Sequence, residues 1–278
     1  MELARQGWRV AIVHGNGPQV GDELERNQLA KDRVEPLPLG VLVAATAGWI
    51  GYMIQQSLQN ALRRAGIDRD VLTVITQTVV DASDPEARRP VKPVGHALTP
   101  DQTERLRAAG VAVGQDAAGR WRRLAPSPLP VDIIEAAAVK QLVNEGKLVI
   151  ACGGGGPPVY DDPVLLWEGV DAVVDKDRVA AILGRRLAAD TLLILTDVDA
   201  VYRGWGTDRA TPLRRLRLAD AEALLAGEEL GTGSMRPKVE AAVHFVQGGG
   251  KRAVIAHLSA GWSALQGEAG TTITRGRK

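Results

Sequence analysis

Three lysines and two runs of glycine are the residues of this 278-residue chain best suited to chemistry on a charged group. Lys176 stands between Asp175 and Asp177 in "DKD". Lys238 follows Pro237 in "GSMRPK". Lys92 is held between Pro90 and Pro93 in "PVKPVG". The glycines cluster in "HGNGPQVG", His14–Gly21, and in the unbroken run Gly153–Gly156 behind "VIAC". Without side chains, successive backbone amides can turn into one concavity and hold an anion. Phosphoryl transfer asks the protein mainly for positive charge around the moving group and for carboxylates that organise lysines or Mg²⁺. Taken one at a time, each feature also has a structural reading, a tight turn or a solvated charge cluster. Neither glycine run has the G-x-G-x-x-G spacing opening a helix, and "GGGK" at Gly248–Lys251 lacks the spacing and the hydroxyl residue of a P-loop.

The elements that must position these residues alternate in type. Apolar runs read as strands at Arg9–Val13, Val71–Gln77, Leu148–Ala151, Leu192–Leu195 and Ala253–Ala256. Helical spacing predicts helices over Val41–Ala65, Asp132–Gly146, Val174–Leu187, Ala219–Ala226 and Pro237–Gly248, with Gly66 and Gly146 as stops. Continuous apolar strands between helices predict an α/β fold, a mostly parallel sheet covered on both faces. Both glycine runs then lie at the carboxyl edge of that sheet, where ligands bind. Proline at the first helical position and a helix amino end that attracts anions would favour Lys238. Residues 81–130 break the alternation. They hold seven of the fifteen prolines and a hairpin-like stretch around Ala117–Gly119, which predicts a small insertion acting as a lid.

Composition narrows the partners. Lys and Arg total 34 and Asp and Glu 33, so no basic surface argues for nucleic acid. Aromatic residues are scarce at 4%, too few for a base-stacking platform. The one cysteine, Cys152, excludes an internal disulfide and a Cys-rich metal site, points to a reducing cytoplasm, and reads as buried packing. The longest apolar stretch, Val41–Ile54, is interrupted by glycine and short for a membrane span.

The motifs "VHGNGPQVG", "TQTVVDASDP", "PVKPVG", "RRLAPSPLPVDIIE", "IACGGGGPPV", "GVDAVVDKDRVAAIL", "LLILTDVDAVY" and "GTGSMRPKVEAAVHFVQGGGKRAVI" follow one another in order over nearly the whole chain. Together they resemble the signatures of carbamate kinase, within the amino-acid kinase superfamily. The resemblance implies a three-layer αβα sandwich with a small protruding subdomain. Its N-lobe would be about 1–150 with the lid at about 81–130, and its nucleotide-binding C-lobe about 151–278. It implies a cytoplasmic homodimer of arginine metabolism that moves a phosphoryl group reversibly between carbamoyl phosphate and ADP with Mg²⁺. No protein-built metal site is implied. By motif, Gly15, Asn16 and Gly17 would hold carbamoyl phosphate, and Gly153, Gly154, Gly155 and Gly156 would line the reaction centre. Lys176 and Lys238 would neutralise the transferred phosphoryl. Asp175 and Asp177 would orient Lys176 or Mg²⁺, and Lys92 would reach down from the lid. Asp197, Val198, Asp199, Val201, Tyr202, Gly233, Ser234 and Met235 would shape the nucleotide pocket.

The chain departs from the pattern in three places. It begins at "MELARQGW", where the family has an opening strand and a Gly-Gly-Asn loop ahead of a helix. Loss of a phosphate-holding donor costs about 10²–10³ in rate. An alternative reading is therefore a catalytically impaired binding or regulatory subunit. Ala200 stands where the family has glycine, tolerable where the backbone φ is negative. Arg236 stands before Pro237, where it would either hinder or help an anion. The Val41–Ile54 helix is the candidate dimer surface.

Overall fold

The computed structural model describes every residue except 117, 228, 231–234 and 277–278. Chain contacts divide it into two compact units, one of Leu3–Val179 and one of Ala180–Lys278, with Met1 grouped with the first and Glu2 with the second. The sequence reading places the change of lobe near residue 150; the glycine run 153–156 and "DKD" both fall in the first unit.

In the first unit a short helix α1 (Glu2–Arg5) precedes strand β1 (Val10–Ile12), helix α2 (Gly17–Ala30) and the long helix α3 (Leu39–Arg64). Strands β2 (Val71–Thr73) and β3 (Thr78–Val80) follow. The insertion contains β4 (Pro90–Val94), α4 (Pro100–Ala108), β5 (Val113–Gln115) and β6 (Trp121–Pro126). Then come β7 (Pro130–Ile133), α5 (Ala136–Asn144), β8 (Leu148–Ile150), β9 (Pro158–Asp162) and β10 (Leu166–Gly169). Strands β1, β8 and β2 form a wholly parallel sheet with β8 in the middle. Leu148 and Ile150 of β8 pack with Ile54, Leu58 and Leu62 of α3. Side-chain alternation turns Val149 to the other face, on the side where α5 packs. This gives a layer of helix, sheet and helix. A second sheet, in the order β10-β9-β3-β7, carries one parallel ladder, β3 with β9. The insertion forms its own antiparallel sheet, β4-β6-β5; β5 and β6 pair as the expected hairpin, and of its expected turn 117–119, Ala117 lies outside the described residues. There the Asp116 carboxylate accepts from the backbone N–H of Ala118 and Arg120, each at 3.0 Å. Helix α4 begins on a capping box, Thr99 with Gln102, which fixes orphan amides at its first turn.

The second unit holds most of α6 (Lys176–Arg186), then β11 (Thr191–Thr196), β12 (Val201–Arg203), β13 (Thr211–Leu213), β14 (Arg215–Arg217), α7 (Leu218–Ala226), α8 (Met235–Gln247), β15 (Arg252–His257), α9 (Gly261–Leu265) and β16 (Thr271–Thr274). Its sheet runs β11-β15-β16-β14, parallel except between β15 and β16. Ile194, Ala253, Ile255 and Ile273 pack against Leu224 of α7 and Val239, Ala242 and Val246 of α8. Helix α9 packs against β11 and β15. Among the described residues no helix is long and apolar enough to cross a membrane.

Three expectations are corrected. The single strand Val71–Gln77 is two: β2 ends at Thr73, and β3 starts at Thr78 in a different sheet. The helix Asp132–Gly146 begins later, because Pro130–Ile133 pairs as β7 with β3 and leaves helical geometry only from Ala136. Ile133 fits either period; its pairing partner, distant in sequence, decides. Finally, the first glycine run does open a helix. α2 starts at Gly17 with Pro18 in its first turn, where a missing N–H costs nothing.

Candidate active site

The α2 amino end is built by the first glycine run. Asn16 occupies the cap position with φ −145° and gives no side-chain cap to its own helix. Its Nδ2 instead donates to Thr46 Oγ1 of α3 at 2.9 Å, both residues buried. The N–H groups of Gly15, Asn16 and Gly17 have no partner among the described residues. They are open donors at the positive end of a 14-residue helix.

The second run behaves differently. All four glycines are buried, and Gly154, Gly155 and Gly156 have φ of +67°, +91° and +74°. Their amides are already paired: Gly154 N–H donates to His14 O at 2.7 Å, Gly155 N–H to Cys152 O at 3.0 Å, and Gly156 N–H to Gly153 O at 3.0 Å. The picture of an anion cradle of bare amides on this run is thus corrected for residues 154–156. What the run does is allow close approach. A Cβ on Gly154 would overlap the Asn16 amide, and one on Gly155 would overlap the Val174 carbonyl just before "DKD". Thr78 Oγ1 donates to Gly155 O at 2.6 Å. The loop is a spacer-free wedge that seats the Asn16 loop and the Val174–Asp177 segment side by side. Cys152 ahead of it is fully buried, and burial pushes its thiol up to about 12, as suits a packing residue.

"DKD" sits at the start of α6. Asp175 Oδ1 accepts from the backbone N–H of Asp177 at 2.9 Å and of Arg178 at 3.2 Å, which caps the helix. Its Oδ2 accepts from Lys92 Nζ at 2.8 Å, so the insertion's lysine is tied to the core across 83 residues of sequence. Burial alone would raise the Asp175 pKa. The charge and hydrogen bond of Lys92, the Arg178 amide and the charge of Lys176 outweigh it and bring the carboxyl down to about 2. Lys176 Nζ donates to Asp177 Oδ1 at 2.8 Å. The Lys176 side chain is 40% exposed and that of Asp177 11%, so the acid orients an ammonium that stays accessible. The Lys176 stem runs along Gly15, where an added Cβ would come within 3.2 Å of Cδ and Cε. His14 Nδ1 lies 3.0 Å from Gly15 O, and its Nε2 is buried without a hydrogen-bond partner among the described residues.

In the first unit the structure therefore gathers Gly15–Gly17, Gly153–Gly156, Lys92 and Asp175–Asp177 into one neighbourhood. In the second unit, Lys238 is buried on the first turn of α8. Asp197, Val198 and Asp199 follow β11. Tyr202 OH donates to Asp199 Oδ1 at 2.7 Å, which raises the phenol pKa. Val201 is fully buried in the core and its N–H donates to Thr271 Oγ1. Ala200 is buried, and its φ is not in the left-handed range, so its methyl is accommodated. Arg236 donates to the carbonyls of Leu225 and Gly227, both at 2.7 Å. It caps the carboxyl end of α7, where a cation is favoured. Met235 opens α8; Gly233 and Ser234 lie outside the described residues. Sequence reading missed Thr46 and Thr78, which hold the two loops. Thr78 stands in the quoted "TQTVVDASDP", the signal by which it could have been found.

A model of the amino acid kinase family matches residues 1–257. The carbamate kinase of Pyrococcus horikoshii is 43% identical over 276 residues, covering 98% of this chain and 88% of that protein. That of Halobacterium salinarum is 45% identical over 275 residues, covering 98% and 87%. Among solved structures, carbamate kinase from Giardia lamblia bound to citric acid superposes with a TM-score of 0.92 at 37% identity, covering 98% of this chain and 86% of that one. The same organism's carbamate kinase bound to AMP-PNP gives 0.88 at 36%, covering 98% and 87%. The chain belongs to the amino acid kinase family and, within it, to the carbamate kinases, which makes it a phosphotransferase.

Proposed function

We propose that the chain transfers a phosphoryl group between carbamoyl phosphate and ADP, forming ATP and carbamate, with Lys176 and the open amides of Gly15–Gly17 on the moving group. The observation that carries this is the alignment of the Lys176 stem along Gly15, beside unpaired amides at a helix amino end. The attacking oxygen of ADP is already ionised, so no general base is needed. In-line attack spreads charge over the equatorial oxygens, and fixed positive groups stabilise that charge most. Asp177 orients Lys176. Asp175 holds Lys92 and the first turn of α6 in place. His14 positions the loop. Gly153–Gly156 set the spacing between these segments. By motif, Lys238 joins Lys176 in neutralising the transferred phosphoryl, and Asp197, Val198, Asp199, Val201, Tyr202 and Met235, with Gly233 and Ser234, are assigned to the nucleotide.

Among the described residues no group of three metal-ligating side chains could hold an ion, and Asp175 and Asp177 are each bonded to a lysine. These residues suit Mg²⁺ that arrives on the nucleotide phosphates, the usual mode for this ion. Mg-ADP is then the substrate, and the metal supplies neutralisation of the polyphosphate. A homodimer joined through the exposed face of α3, a reducing cytoplasmic setting and a place in arginine metabolism complete the reading. The test is ATP formation from carbamoyl phosphate and Mg-ADP by the purified chain. Turnover supports the reading; binding of both substrates without turnover would contradict it.

A further inference from the structure

Between α2 and the insertion lies a cavity of about 250 Å³. None of Gly15–Gly17, Gly153–Gly156, Lys92 or Asp175–Asp177 lines it. Its apolar wall is Leu24, Leu29, Val94, Leu98 and Leu106, and Arg123 lines it as well. Alternation along β6 turns Arg122 and Arg123 to opposite faces. The terminal nitrogens of Arg122 are occupied: one pairs with Asp116 at 3.1 Å and the other donates to Gly95 O, while its Nε is buried without a partner among the described residues. The Arg123 side chain makes no hydrogen bond or ion pair among the described residues, although it is half-buried and burial lowers its pKa. Its guanidinium offers five donors beside an apolar wall with no protein acceptor in reach among the described residues, which leaves them open to an anionic ligand. The other charges at the wall have partners. Arg105 pairs with Asp101 at 3.1 Å. Glu25 accepts from Gln102 Nε2 at 3.3 Å and lies 3.5 Å from His96 Nε2. His96 Nδ1 lies 3.5 Å from Asp22.

We propose that this cavity is a second ligand site, which takes a small carboxylate with a short hydrocarbon tail, its head on Arg123 and its tail along the leucines. The volume falls just below the roughly 300–1,000 Å³ of most small-molecule sites, so the occupant is small. A planar carboxylate matches the guanidinium fork. One arginine with Glu25 nearby favours a monoanion over a doubly charged phosphate. Strand β4 joins this site to the first one: Val94 and Gly95 line the cavity, and Lys92, two residues earlier, holds Asp175. Occupancy is therefore expected to alter use of carbamoyl phosphate, a consequence that rests on the function proposed above.

The probes are straight-chain carboxylates from acetate to octanoate, titrated calorimetrically into the full chain, with hexanol as the neutral control. The expected result is saturable one-site binding that peaks at intermediate length, at least tenfold weaker for hexanol. Arg123→Leu should weaken it at least tenfold, and Leu106→Trp, which fills the cavity, should abolish it. Lys176→Ala should leave it unchanged. Circular dichroism shows that each variant is folded; Arg123→Lys replaces Arg123→Leu if the latter is not, with the same direction expected. Absence of saturable binding by every member, or equal binding by the cavity variants, overturns the site. Saturating carboxylate should shift the KM for carbamoyl phosphate at least threefold in the parent chain. Tight binding with no kinetic shift overturns the coupling through β4 and leaves the site standing.

Discussion

Asp175 carries two duties at once, since one carboxylate caps α6 and clamps Lys92. Its pKa, brought down from 3.8 to about 2, links that arrangement to stability. A carboxyl depressed in the folded state stabilises fully above its unfolded pKa, and the contribution is lost as pH falls through the folded one. The window is therefore between about pH 4 and pH 2, and the size about 2 kcal/mol. Urea unfolding of Asp175→Asn should show lower stability at pH 7 and a flatter acid limb than the parent over that window. Equal acid limbs would mean that the clamp is not formed in solution. The "DKD" chemistry was legible in sequence because the three residues are adjacent. The Lys92 contact was not, because it is made by folding a distant segment over the core. Nor was the pairing of the Gly154 amide, which depends on a His14 carbonyl supplied by another loop.

At the scale of elements, the decisive contact is between α2 and β4. A Cβ on Gly21 would fall on the Gly95 Cα, backbone against backbone, and Gly95 N–H donates to Gly17 O at 3.1 Å. Gly21→Ala must push β4 away from α2. Overpacking of this kind costs about 1–3 kcal/mol, and because β4 carries Lys92, turnover should fall by more than tenfold as well. Denaturant unfolding and steady-state rates check both; unchanged stability would show that the two elements are not in contact. Helix α2 escaped sequence reading because its glycine-proline start resembles a turn and only Val20, Gly21 and Leu24 along it are buried. Helix α3 was legible almost to its ends, since its apolar content and the stop at Gly66 are local signals. The end of β2 at Thr73 was not, because strand pairing with β8 sets it.

For the whole molecule, each unit has sheets of its own; a mostly parallel α/β arrangement was legible from the order of strands and helices, and the three-layer sandwich with its insertion from the motifs. The exposed face of α3 presents Val41, Trp49, Tyr52 and Met53. Aromatic residues of this kind are enriched at protein interfaces. The proposed homodimer predicts that Tyr52→Glu shifts the mass measured by light scattering from two chains towards one, with the circular dichroism spectrum unchanged. A parent chain that is monomeric at micromolar concentration would contradict it. The central claim is that Lys176, oriented by Asp177 and laid along Gly15, stabilises the moving phosphoryl group. The measurement that bears on it most directly is the rapid-quench rate of ATP formation from bound carbamoyl phosphate and Mg-ADP, compared between the parent chain and Lys176→Ala. The account predicts a loss of about 10²–10³ in that rate with the fold retained; a variant that transfers as fast as the parent would contradict it.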